Sequence, residues 1–370
     1  MHDHPRTLAL IGDETGPSLW RVWMPMTALS ALGRVADWDY KDNADRILPI
    51  IATGRYDAII LPRLAWREHE AGRQWIASLH RAGLAVIAEY DDDVFSEDII
   101  ERQYRVHDRE RAKGKEQLAQ DRLDRIAVLQ QADGVTVSTR RLATVVREHT
   151  DKPVCVVPNA IDTRWWRRTL RGVSRVVPPL TIGWCGGARY PEDLAAMAEG
   201  WRRIASRYPD VTFVVQGHMA EVLINAVPPE RVRRLPWLPL QDYPRAMLNV
   251  DIGCAAVTDK HFNRCKTPIK VWEYTLSGAV VVASRALYGA VVTDGEDGLL
   301  ADTPDEWEAA LARLVEDASL RRTLWKEQRR RVAREHSLER NLWRWEAAWT
   351  AIISDFRARQ TRAMLTGRAA

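Results

Sequence analysis

The chain has 370 residues, 46% of them hydrophobic and 28% charged, with a formal net charge of +4. That length suits two ordinary domains with separate cores, and no run approaches the roughly 20 apolar residues that a membrane-spanning helix needs. Only eight of the 54 basic residues are lysine, an arginine bias that does not by itself call for a polyanionic partner.

The N-terminal stretch "MHDHPRTLALIGDE" enters a strand-like run without a signal-peptide pattern, which predicts a cytoplasmic protein. Short β-branched runs then alternate with amphipathic stretches: "TLALIG", "DAIILP", "LAVIAEY", "GVTVST" and "PVCVVPN", followed by "LTIGWCG", "VTFVVQG", "VDIGCAAV" and "AVVVAS". Such alternation predicts an α/β protein with parallel sheets covered on both faces, and its repetition predicts two Rossmann-like, doubly wound domains. The run "LAVIAEYDDDVF" ends in Asp91, Asp92 and Asp93, which places three carboxylates at the carboxyl end of a strand, where such folds bind ligands. Between Asp98 and Asp133 lies a charged, helix-like segment whose stripe Leu118, Leu123, Ile126 and Leu129 predicts a solvated helix packed on the first domain. The four cysteines, Cys155, Cys185, Cys254 and Cys265, show no Cys/His ligand spacing and read as free thiols, mostly buried.

The boundaries follow from these patterns. Residues 1–162 form the first domain, 163–179 an arginine-, proline- and glycine-rich linker, and 180–338 the second domain. Residues 339–370 hold a basic tail and a helix carrying Leu342, Trp345, Trp349, Ile352 and Phe356, expected to pack back toward the first domain.

The segment "FNRCKTPIKVWEYTLSGA" carries the clearest chemistry. Thr267 is an N-cap residue, Pro268 suits the first helical position and Gly278 a C-terminal stop, which predicts a helix over 267–277. Lysine is out of place at the positive end of a helix dipole, yet Lys266 and Lys270 both stand there. An anion resolves that conflict, which points to a diphosphate at Lys266, Thr267 and Lys270 and a ribose at Glu273 on the same predicted face; a surface Lys-Glu pair on an ordinary helix is the competing reading. Gly186 and Gly187, with Arg189 just beyond, form a second phosphate-binding element after a strand.

These segments resemble the retaining nucleotide-sugar glycosyltransferases of family 4, which have the two-Rossmann architecture called GT-B. The resemblance runs through "WRVWMPMTALSALG", "VVPNAID", "IGWCGGARYPEDL", "LPWLPLQDYPRAMLNVDIGCAAV", "FNRCKTPIKVWEYTLSGAVVVAS" and "YGAVVTDGEDGLLAD". It implies a first domain that binds the acceptor, with Gly16 and Arg21 on that side, and a second that binds the donor. Arg189 with Lys266 or Lys270 would neutralise the donor diphosphate, Glu273 would hold the ribose, and the chain at Trp237 and Leu238 the base. The family's first glutamate is replaced by Cys265, so donor-sugar contacts fall to Asn263 or Arg264; Glu192 and Asp193 stand where a lysine usually follows the arginine.

The implied activity is transfer of a sugar from a UDP- or GDP-type donor to an acceptor hydroxyl, with no cofactor and no metal. A glycan or lipid-linked sugar is the expected acceptor. DNA carrying a hydroxymethylated base, a nucleotide-sugar epimerase and a silent nucleotide-binding module are the alternatives. The aspartate triplet is then the acceptor-side wall of the cleft, with Asp91 or Asp92 as a candidate base; structural turn roles and a metal site are the competing readings.

Overall fold

The computed structural model describes residues 4–12, 16–40, 49, 53–62, 69–106, 108–173, 179–187, 190–217, 220–239 and 242–366. The first half contains β1 (Thr7–Ile11), β2 (Ala36–Tyr40), β3 (Ala58–Pro62), β4 (Ala85–Tyr90), β5 (Gly134–Val137) and β6 (Val154–Val156). The second contains β7 (Thr181–Cys185), β8 (Thr212–Gln216), β9 (Val232–Leu235), β10 (Ile252–Ala255), β11 (Val280–Ala283) and β12 (Leu299–Leu300). They form two six-stranded parallel sheets, ordered β2-β1-β3-β4-β5-β6 and β12-β11-β10-β7-β8-β9. In the second sheet the order reverses between β7 and β10, which opens a crevice at their carboxyl ends.

The inner strands β1, β3, β4 and β7 are buried at every position, as strands covered on both faces must be. The strands that the sequence pattern misses are edge strands. β2 ("ADWDY") and β9 ("VRRL") carry charged, partly exposed residues, so they lack the apolar run that marks the centre of a sheet. The charged segment after Asp98 forms two helices, Asp98–Val106 and Asp108–Leu129, the latter interrupted at Gly114. Leu118 and Leu129 are buried there, but Leu123 is 52% exposed, so the predicted stripe is narrower than expected. The predicted linker also contains a helix, Thr163–Thr169, capped by Asp162 through the N–H groups of Arg164 (2.9 Å) and Trp165 (2.7 Å).

The last helix, Trp343–Leu365, crosses back onto β4 and β5 of the first sheet, burying Trp345, Trp349, Ile352, Ile353 and Phe356. A side chain at Gly134 would put its Cβ 2.6 Å from Ile352, so the close approach depends on glycine there. One apolar cluster runs from Ala9 and Trp20 through Val271 and Trp272 to Trp345 and Phe356, so the two halves share a continuous core.

At its centre is Arg21, which is only 1% exposed. Pro25 lacks an N–H for the carbonyl of Arg21, and the chain answers with a wide π-turn over Leu19–Trp23. Arg21 then donates to Glu89 (2.8 Å), the Val157 carbonyl (2.6 Å) and Asn159 (2.6 Å), and stacks against Trp345. Arg21, expected on the acceptor side, is a buried tie between helix, sheet and C-terminal helix.

Arg21→Met leaves the Glu89 carboxylate buried without its cation. Chemical denaturation should show a loss of about 3–5 kcal/mol, partly recovered in the double variant Arg21→Met/Glu89→Leu. His336 stacks on Trp272 (ring centroids 4.6 Å apart), and burial pushes its imidazole down to about 4. Between that value and the ordinary one near 6.5 the unfolded chain binds a proton that the folded chain does not. Stability should therefore fall as pH drops from about 6.5 toward 4, by on the order of 2 kcal/mol, and His336→Phe should flatten that part of a stability-against-pH curve.

Candidate active site

The site is built from two segments that leave parallel strands at their carboxyl ends: Asp91–Ser96 after β4, and residues 256–270 after β10. The three aspartates do different things. The Asp91 carbonyl accepts from the Ser138 hydroxyl (3.1 Å). Asp92 forms an ion pair with Lys266 of the other half, with 21% and 14% of the side chains exposed. Asp93 is buried, and its Oδ1 accepts the N–H groups of Phe95 (2.9 Å) and Ser96 (3.0 Å), which turns the chain away from the sheet. Its Oδ2 meets the Ser96 hydroxyl and His261 Nε2 (3.1 Å). Asp93, the third residue of the triplet considered for catalysis, thus has its oxygens on the turn and on His261.

His261 is a residue the sequence reading missed. It lies on the short helix His261–Arg264. Its partner Asp93 is distant in sequence, so no local spacing announces the pair. At the end of that helix the Cys265 carbonyl accepts from Thr139 Oγ1 (2.9 Å), a further tie between the halves. Burial, and then Asp93, push the Cys265 thiol up to about 12.

The donor-half helix spans Ile269–Leu276 and starts later than predicted. Pro268 has ψ 45° and takes the cap position itself, so Thr267 makes no capping bond and its Oγ1 has no protein partner among the described residues. Lys266 consequently lies outside the helix, which breaks the expected common face of Lys266, Lys270 and Glu273 and lets Lys266 reach Asp92. The predicted stop is in place: Gly278 has φ +96°, and the N–H groups of Gly278 and Ala279 return to the carbonyls of Thr275 (3.2 Å) and Tyr274 (3.0 Å). Lys270 pairs with Glu273 (2.8 Å), and the Tyr243 hydroxyl bonds to both, donating to Glu273 (3.0 Å). Glu273 is 1% exposed beneath this lysine.

Gly186 and Gly187 follow β7, with the space over Gly187 open, while Arg189 lies outside the described residues. Asn263, expected at the donor sugar, is buried, its amide donating to Asp193 (2.9 Å) and the Thr258 carbonyl (3.0 Å). Arg264 is exposed and pairs with Asp259. Trp237, 52% exposed, and Leu238 lie after β9, in a stretch tethered by Gln216 to the Pro236 carbonyl (2.8 Å). Gly16 opens the short helix Gly16–Ser18 after β1. Cations from both halves gather on aromatic rings at the junction, Arg102 over Phe262 (4.1 Å) and both Arg105 (4.9 Å) and Lys260 (4.5 Å) over Tyr190.

Comparison with known proteins places this geometry in a class. Residues 194–347, most of the second half, match the family model described as glycosyl transferase-like. Among solved structures, Alr3699/HepE of Anabaena in complex with UDP and glucose aligns with a TM-score of 0.60 at 13% identity, over 94% of this chain and 100% of that one. A glycosyltransferase of Rickettsia africae aligns with a TM-score of 0.60 at 12% identity, over 95% and 99%. The pneumococcal O-GlcNAc transferase GtfA, solved with UDP and GlcNAc, aligns with a TM-score of 0.53 at 12% identity, over 83% of this chain and 60% of that one. No curated protein matches the sequence. The architecture is GT-B, two Rossmann-like halves, and the match to a glycosyl transferase-like model lies in the second of them. No helix among the described residues is long and apolar enough to cross a membrane.

The Asp92–Lys266 pair should be measurable without any substrate. A double-mutant cycle with Asp92→Asn and Lys266→Met, read by thermal or chemical unfolding, should give a coupling of about 1–2 kcal/mol, more than an exposed ion pair supplies.

Proposed function

We propose that the protein moves a sugar from a UDP-type nucleotide sugar to a hydroxyl of a glycan or lipid-linked sugar, with lysines rather than a metal ion carrying the donor diphosphate charge. The observation that carries this reading is the start of the Ile269–Leu276 helix, beside the β7/β10 crevice. There Lys266, Lys270 and the unpartnered Thr267 hydroxyl lie within five residues of chain at the positive end of the helix dipole.

As the glycosidic bond breaks, negative charge develops on the leaving diphosphate, and preorganised cations stabilise it most in the transition state. Lys266 and Lys270 are already held in place by Asp92 and by Glu273 with Tyr243, so a phosphate exchanges one anionic partner for another instead of ordering a free side chain. The neighbouring structures support the UDP donor, since HepE of Anabaena and the pneumococcal transferase were both solved with UDP. The latter's name, O-GlcNAc transferase, supports transfer of a sugar to an acceptor hydroxyl, and nothing among these neighbours favours a DNA acceptor. In this reading Asp92, released when Lys266 turns to the diphosphate, and Asp91 beside it face the acceptor, and the site of action is cytoplasmic.

Nucleotide release from UDP-glucose, UDP-GlcNAc and GDP-mannose, each with oligosaccharides, lipid-linked sugars or hydroxymethylated DNA, tests the reading. Release should need a carbohydrate acceptor, and Lys266→Ala and Lys270→Ala should each lower kcat by about 10²-fold. Unchanged turnover and donor affinity in both variants would falsify the diphosphate assignment, and conversion of the donor sugar without acceptor would replace transfer by epimerisation.

A further inference from the structure

We infer that Asp93, His261 and Cys265 form a binding site for a zinc-class divalent cation that joins the two halves of the molecule. The carboxylate, imidazole and thiol ligand atoms all lie within 4.8 Å of one another, and they come from both halves of the chain.

Several ligand-type atoms crowd around one imidazole nitrogen at this point. His261 Nε2 can make one hydrogen bond, yet it faces Asp93 Oδ2 at 3.1 Å, Ser96 Oγ at 3.4 Å and Cys265 Sγ at 3.7 Å. A four-coordinate zinc with bonds of about 2.0 Å to nitrogen and oxygen and 2.3 Å to sulfur puts neighbouring ligand atoms about 3.3–3.6 Å apart. The observed N–O and N–S separations of 3.1 and 3.7 Å fall within a few tenths of an ångström of that spacing.

The surroundings are those of a supported ligand set. Two backbone N–H groups fix Asp93 Oδ1 and so aim Oδ2, while Thr139 anchors the Cys265 backbone through its carbonyl. Asp93 and Cys265 are buried, whereas the His261 side chain is 38% exposed, so an ion enters from the cleft and keeps a position open there. Mixed N, O and S donors select zinc over magnesium or calcium. On binding, the thiol proton leaves to solvent, three coordinate bonds form, and carboxylate and thiolate together balance the two positive charges. The spacing His261-x3-Cys265 is visible in the sequence, but the third ligand is not. The site does not rest on the donor reading, because the diphosphate lysines are not among its ligands.

The test uses the full chain prepared without a polyhistidine tag, incubated with Zn²⁺ and dialysed, with metal content read by mass spectrometry. About one equivalent of zinc is expected, and Co²⁺ should give a thiolate-to-metal charge-transfer band and four-coordinate visible absorption. Cys265→Ser should abolish the charge-transfer band, and His261→Ala should lower zinc content at least about tenfold, with circular dichroism checking that both variants fold. A wild-type chain that retains under about a fifth of an equivalent of zinc overturns the site, as does a cobalt spectrum unchanged by Cys265→Ser. Neither result touches the nucleotide-release measurements.

Discussion

Everything at the cleft depends on one electrostatic arrangement, in which carboxylates at the end of β4 face cations that follow β10. The donor-half segment concentrates positive charge, with Lys260, Arg264, Lys266 and Lys270 within a short stretch. Left alone these groups would repel one another and the helix dipole behind them. Asp92 on Lys266 and Glu273 on Lys270 offset that repulsion, while Glu192 and Asp259 take Lys260 and Arg264. Since Asp92 belongs to the other half, the charge balance of the donor loop is completed only when the halves meet.

That meeting needs a stiff frame, and the first half supplies one through its buried polar tie. Arg21 holds Glu89, the residue before Tyr90 at the end of β4, so the strand that delivers the aspartates cannot slide without breaking a desolvated ion pair. The C-terminal helix closes the other side by packing on β4 and β5 through Gly134. Its approach is fixed where the backbone of Ile161 bonds to His336 and Leu338, both at 2.8 Å. A tie of this kind yields little net stability compared with an apolar core of similar volume, but it specifies one arrangement of three elements, and the register of the aspartates follows from it.

The parts of this design that sequence reveals are those with a local cause. Central strands declare themselves as apolar runs because both faces are covered, and the Gly278 stop is legible because a positive φ favours glycine. The edges β2 and β9 escape because half their surface is wet. The Thr267 cap fails for a conformational reason: Pro268, with ψ 45°, delays the helix, and no propensity scale distinguishes that from a proline at the first helical position. Arg21 reads only as an acceptor-side residue because a sequence does not say that Glu89, sixty-eight positions away, will bury beside it. The same holds for His261 and Asp93, whose relation exists only in the assembled cleft.

A lysine stored on a carboxylate suits a leaving-group site better than one exposed to water. An exposed ammonium is hydrated and mobile, so binding an anion must order its long side chain and strip its water, at a cost comparable to the interaction gained. Lys266, with 14% of its side chain exposed, is already ordered and largely dehydrated by Asp92 and the Phe262 ring. In the proposed reading, a donor diphosphate would compete with a carboxylate rather than with solvent. Such competition would weaken ground-state binding, while the charge building on a departing diphosphate would outbid Asp92 more strongly than the intact donor. An arrangement of this kind shifts interaction energy from the bound substrate to the transition state, which is the condition for faster turnover rather than tighter binding.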